Sequence, residues 1–174
     1  MKRNNEYTNC HDFTSDYIVE FAVEEAIRAA AGKYQEERKG PRQYWEELSR
    51  LGRMRLFRQT GCATLSVPGL VLFCAMDDTL QHSMIVYDTN AWAGANNGSS
   101  LGAPDDHVHT YANMSVREYQ HGAQGGWDNG ECHNIYGDQY RMYYIPLTIS
   151  VAGDRYNRSL AGESTDAGCG CIVI

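Results

Sequence analysis

The sequence predicts an α+β fold, with N-terminal helices packed on an antiparallel β-sheet. Three observations predict it. Apolar residues recur every three or four positions up to about Leu51; from about Met54 they fall in short strand-like blocks; and those blocks are joined by turns too short to hold a crossover helix. With 174 residues, 43% hydrophobic and 21% charged, the chain has enough apolar surface for one domain with a core.

The first helix is expected over residues 9–31. Phe13, Tyr17 and Phe21 lie four apart, while Ile18, Ala22 and Ala26 or Ala29 widen the same stripe. Asn9 is a suitable N-cap and Asp12 follows three residues later, which makes Cys10 the first helical residue. Gly40-Pro41 breaks the chain, and 42–51 reads as a short amphipathic helix carrying Tyr44, Trp45 and Leu48. Strands are expected at 54–57, 63–67, 70–76, 82–87 and 91–95, with Asp77-Asp78 and Thr89-Asn90 as turns, so that this part forms an antiparallel meander. Residues 105–137 are rich in Gly, His, Asn and Asp and read as loop, before a strand at 140–151. The domain is placed at 1–152, followed by a small, polar and flexible tail at 153–174.

Composition excludes some partners. A net charge of −7, with no dense Lys/Arg block beyond the mixed stretch from Arg50 to Arg58, argues against nucleic acid. No apolar run approaches the roughly 18 to 20 residues that span a bilayer, and the N-terminus lacks the apolar core of a Sec signal. The expectation is a protein made in a cytosol and, if exported, exported by another route. The six cysteines are read as mostly reduced thiols.

Chemistry is sought where a thiol meets an imidazole. A cysteine at a helix N-terminus lies where unpaired N–H groups and the helix dipole favour thiolate, and a histidine on a neighbouring strand can then carry its proton. Cys10 fits the first requirement and His82, opening a strand, fits the second. Cys62 is the rival nucleophile; it follows Gly61, but Pro68 would disrupt a helix nucleated there. Cys74 sits inside an apolar strand and reads as a core thiol. His107, His109, His121 and Cys132-His133 have the residue types of zinc ligands, yet no Cys-x-x-Cys or His-Glu-x-x-His accompanies them. They are read as solvated loop side chains, and no metal or cofactor is expected. Tyr140, Tyr143 and Tyr144 read as cover for the core edge.

Pro68-Gly69-Leu70-Val71-Leu72-Phe73, a turn, and Gln81-His82-Ser83-Met84-Ile85-Val86-Tyr87 together resemble the Pro-Gly hairpin of NlpC/P60- and CHAP-type papain-like cysteine hydrolases. The Asp that follows Pro-Gly in that pattern is Leu70 here, and Ser83-Met84 replaces the glycine stretch after the histidine. The resemblance covers roughly 9–97. It implies a papain-like fold and hydrolysis of an amide, with Cys10 as nucleophile and His82 as the histidine that takes and returns the proton. For the residue that orients the imidazole, the resemblance points to Asn96 or Asn97; Asn96 is preferred, and Asp128 in Gly125-Gly126-Trp127-Asp128 stays open.

The chain ends in Cys171-Ile172-Val173-Ile174, which resembles a prenylation box, with Ile closest to the Leu class that takes geranylgeranyl. Cys169 is placed to accept a second lipid, since stable anchoring takes two signals. These features suggest an effector of bacterial origin modified by a host prenyltransferase, held at a host membrane by lipid and acting on a membrane-bound signalling protein. A non-catalytic module that sequesters such a partner is the alternative, and a cell-wall amidase is a third reading that makes no use of the tail.

Overall fold

The computed structural model describes residues 1, 7, 9–37, 40–56, 68–75, 79–88, 91–95, 108–111 and 140–166. Among these, three helices come first: α1 (Cys10–Phe21), α2 (Glu25–Glu37) and α3 (Pro41–Ser49). Six strands follow, β1 (Arg55–Leu56), β2 (Gly69–Ala75), β3 (Leu80–Asp88), β4 (Ala91–Ala95), β5 (Val108–Tyr111) and β6 (Tyr140–Pro146), and α4 (Val151–Asp166) closes the described chain. The strands form one sheet in the order β1-β6-β2-β3-β4-β5, and every neighbouring pair is antiparallel. The fold is therefore mixed α+β.

The expected first helix is two helices. Its stripe of Phe13, Tyr17, Ile18 and Phe21 is buried as expected. At Ala22 the backbone turns extended and pairs with Ile149, while Val23 N–H bonds to Thr148 O at 2.8 Å and Ser150 N–H to Phe21 O at 2.8 Å. Long-range backbone bonds thus replace the helical ones. The interruption re-phases the periodicity: α2 buries Ile27, Ala30, Ala31 and Tyr34, and leaves Ala26 and Ala29 exposed.

α3 starts with Pro41 in its first turn after Gly40 at φ 101°, a conformation that glycine adopts without strain. It buries Tyr44 and Leu48, and Trp45 meets Tyr143 edge-on at 4.9 Å.

Helices α1 to α3 and α4 supply the layer that covers one sheet face. Leu70 and Leu72 of β2, Ile85 and Tyr87 of β3, Ala93 of β4 and Ile145 of β6 belong to the same buried cluster as the helix residues. Alternate residues face the other way, and Val71, Phe73, Met84, Val86 and Tyr144 are buried there as well. Gly69 is where that face needs no side chain, because a Cβ would lie 2.0 Å from Tyr144 Cε2.

Two segments depart from the reading of the sequence. Residues 108–111, read as loop, form β5 against β4. The strand expected at 140–151 ends at Pro146, and the segment that carries the expected tail boundary is helical, from Val151 to Asp166. Its Leu160 is buried, Tyr156 stacks on Phe21 at 5.1 Å, and Gly153 approaches α1 so closely that a Cβ would stand 2.8 Å from Phe21 Cβ. Tertiary packing holds a helix that composition alone disguised. The strand expected at 63–67 lies outside the described residues, as does 167–174.

Candidate active site

α1 begins as the sequence implies. Asn9 is extended and its Oδ1 accepts a hydrogen bond from Asp12 N–H at 2.8 Å, which fixes Cys10 as the first helical residue. The helix then lies against β3. Cys10 and Thr14 are one turn apart, and His11 and Thr14 three residues apart, so all three meet the strand together.

The residue they meet is Ser83. His11 Nδ1 and Thr14 Oγ1 each lie 2.8 Å from Ser83 Oγ, and Tyr44 of α3 places its hydroxyl 3.2 Å from Thr14 Oγ1. Cys10 is buried beside them, with Ser83 and the backbone at residues 10 and 11 as the polar neighbours that favour its thiolate. Cys10, His11, Thr14, Ser83 and Tyr44 are all buried.

Burial decides the charge state. It pushes the thiol up to about 11, against a weaker opposing pull from Ser83 and the backbone at the helix start. The acidic thiol expected from the helix end is therefore not what this structure holds: the polar surroundings that favour thiolate are outweighed by desolvation. Burial likewise pushes His11 down to about 3, with the neighbouring His82 adding to the shift, and His82 down to about 4. It raises the Tyr44 phenol too. At neutral pH the whole cluster is uncharged.

His82 lies beside this cluster and faces away from it. Ser83 points to α1, and His82 pairs in register with Phe73, on the opposite sheet face, where the two rings lie 5.8 Å apart. A bulge at Gln81 intervenes: Phe73 pairs with His82 but Cys74 with Leu80, and Leu80 belongs to the helix-side cluster. His82 Nε2 is buried with no hydrogen-bond partner among the described residues. No hydrogen bond joins Cys10 to His82 among them either.

Of the other residues singled out from the sequence, Asn96, Cys62, Asp128, Cys169, Cys171, His107, His121, Cys132 and His133 lie outside the described residues, and of His109 only the backbone in β5 is described. Among the described residues no group of three or more His, Cys, Asp and Glu is arranged for a metal ion, and no helix is long and apolar enough to cross a membrane.

His11, Thr14, Tyr44 and Ser83 were not among the residues singled out for chemistry. The spacing of 10, 11 and 14 on a helix was a usable signal for the first two, whereas Tyr44 joins them only through the packing of α3. A cleft of about 260 Å³ lined by Pro68, Tyr87, Asp88, Ile149, Asp154, Asn157, Arg158 and Ala161 lies toward the other end of β3, and Cys10 does not line it.

No family model, curated protein or solved structure matches the chain.

Proposed function

We propose that the chain is a papain-like cysteine hydrolase that acts on an amide bond, as a deamidase or protease of a host protein, with Cys10 as its nucleophile. One observation carries this reading: Cys10 opens a helix capped by Asn9, where the unpaired backbone N–H groups of the first turn gather. Such donors stabilise a thiolate more than a thiol, and they gain weight wherever charge develops as the sulfur attacks. The resemblance assigns proton transfer to His82, with Asn96 or Asp128 orienting it. For His82 to meet Cys10 it has to turn to the helix side, and the bulge at Gln81 next to it is the place where a shift of register exchanges the two faces.

The tail belongs to the same reading. A lipid on Cys171, helped by Cys169, holds the enzyme at a host membrane, where a prenyltransferase substrate motif and a signalling-protein target fit together. The chain is then an effector that acts inside a host cell.

A second reading is favoured by a specific observation. A neutral, buried thiol and an imidazole on the far face of β3 suit a non-catalytic module that binds and sequesters a partner. Expressing the full chain and its Cys10→Ala and Cys62→Ala variants in host cells separates the two. The hydrolase reading expects Cys10→Ala alone to abolish the cellular effect at equal protein level. An unchanged effect in Cys10→Ala would transfer the case to the binding module, and loss in Cys62→Ala alone would move the nucleophile. Removing Cys171 is expected to displace the protein from membranes and weaken the effect.

A further inference from the structure

We infer that the chain is held in a latched, resting register: Ser83 occupies the place on the helix side of β3 that His82 takes in the active form, and moving the bulge from Gln81 to Ser83 exchanges the two. The inference rests on Cys10 and His82 acting together, as proposed above, and concerns how that site is switched on.

The pairing of β3 with β2 defines the move. Leu80 stands opposite Cys74, Gln81 is the extra residue, and His82, Ser83 and Met84 stand opposite Phe73, Leu72 and Val71. With Ser83 as the extra residue instead, Gln81 stands opposite Phe73 and His82 opposite Leu72, while Leu80 and Met84 keep their partners. Leu72 belongs to the helix-side cluster, and Phe73, its neighbour along the strand, faces the other way. The move therefore carries His82 to the side where α1 meets β3, and it re-aims three residues only.

Three observations mark this segment as the one that moves. His82 is poorly accommodated where it lies: its Nε2 is buried with no hydrogen-bond partner among the described residues, and its ring stands 5.8 Å from that of Phe73. Among the described residues β4 pairs with β3 only at Ile85, Val86 and Asp88, so the stretch from Leu80 to Met84 is held along one edge, by β2. What fixes the present register is local. Ser83 Oγ lies 2.8 Å from His11 Nδ1 and 2.8 Å from Thr14 Oγ1, and Tyr44 backs Thr14 at 3.2 Å. These bonds are the latch. They hold the hydroxyl that must leave before the imidazole enters, and both come from the helix that carries Cys10. In this register Cys10 is 3% exposed, closed to a substrate as well as apart from its base.

Two deletions in the full chain fix the register in opposite senses, and the rate at which iodoacetamide labels Cys10 at pH 7 reads the result. Deleting Gln81 removes the extra residue and leaves His82 opposite Phe73, so labelling is expected at the wild-type rate or below. Deleting Ser83 sets His82 opposite Leu72, and labelling is expected to rise roughly 100-fold, the scale of a positioned acid–base group. Adding His82→Ala to the Ser83 deletion is expected to abolish the rise, which loosened packing around the sulfur would not. Labelling no faster than wild type without Ser83, an equal rise without Gln81, or a rise that survives the loss of His82 would each overturn the inference. Should either deletion not fold, Ser83→Ala removes both hydrogen bonds, and nuclear Overhauser contacts of the His82 ring decide. Contacts to the Thr14 methyl group are expected there, and contacts to Phe73 alone would overturn it. An unchanged cellular effect in Cys10→Ala removes the hydrolase reading by itself, whatever the labelling shows.

Discussion

Two buried polar contacts hold α1 against β3, and they differ in kind. At the N-terminal end His11 and Thr14 gather on Ser83 beside Cys10; further along, Tyr17 OH donates to Asn157 Oδ1 at 2.7 Å, and Asn157 Nδ2 reaches Tyr87 O at 3.4 Å. Both tie the same helix to the same strand. The second uses an amide, a phenol and a backbone carbonyl, so it is fixed glue whose partners keep their charge across the ordinary pH range. The first is made of a thiol, an imidazole and hydroxyls, and two of those groups can change charge. A fold that needed only adhesion has a cheaper solution a few residues away. Placing a thiol and an imidazole in the other contact makes that end the one sensitive to pH.

Acid is expected to break the comparison most strongly. His11 and His82 have folded-state pKa values near 3 and 4, below the 6.5 of an ordinary imidazole. Between these limits the unfolded chain binds more protons than the folded one, so their stabilising effect is complete above pH 6.5 and is lost as pH falls toward 4 and then 3. The loss runs at up to about 1.4 kcal/mol per pH unit for each imidazole, less for the partly exposed His82. Urea midpoints between pH 7.5 and 4.5 read this out, and replacing His11 by Asn is expected to flatten the slope.

Asn157→Ala strands the Tyr17 hydroxyl and is expected to cost about 1 to 3 kcal/mol, equally at pH 7.5 and 5. A pH-dependent cost would erase the distinction between the two contacts. Gly69→Ala acts through Tyr144 on the far sheet face and leaves both contacts intact. Its expected cost is also about 1 to 3 kcal/mol, toward the lower end because the ring edge can yield, with Cys10 labelling unchanged. Smallest of all, Arg42→Ala removes an exposed pair with Glu46 and is expected to change stability by about 0.5 kcal/mol or less.

The unequal legibility of these regions follows from the residues. Asn9 and Asp12 announce the helix start, because capping is local chemistry, and Pro68-Gly69 with the turns around it announces the hairpin of β2 and β3. The face of His82 was hidden for two reasons. Met84 and Val86 on one side and Ile85 and Tyr87 on the other are all apolar, so alternation carries no sign in a strand buried on both faces. The bulge at Gln81 then changes the parity of what precedes it. The break at Ala22 depends on Ile149, more than a hundred positions away, and α4 depends on the seats that Phe21, Tyr17 and Tyr87 offer to its small and polar residues. No window along the chain contains such information.

The most direct check on the closed, neutral cluster around Cys10 is the ¹⁵N chemical shifts of the His11 imidazole in the full chain. The expected spectrum is that of a neutral imidazole, one ring nitrogen protonated and the other not, with no titration between pH 8 and 5 while the protein stays folded. Two protonated ring nitrogens within that range, or a titration centred near 6.5, would contradict it.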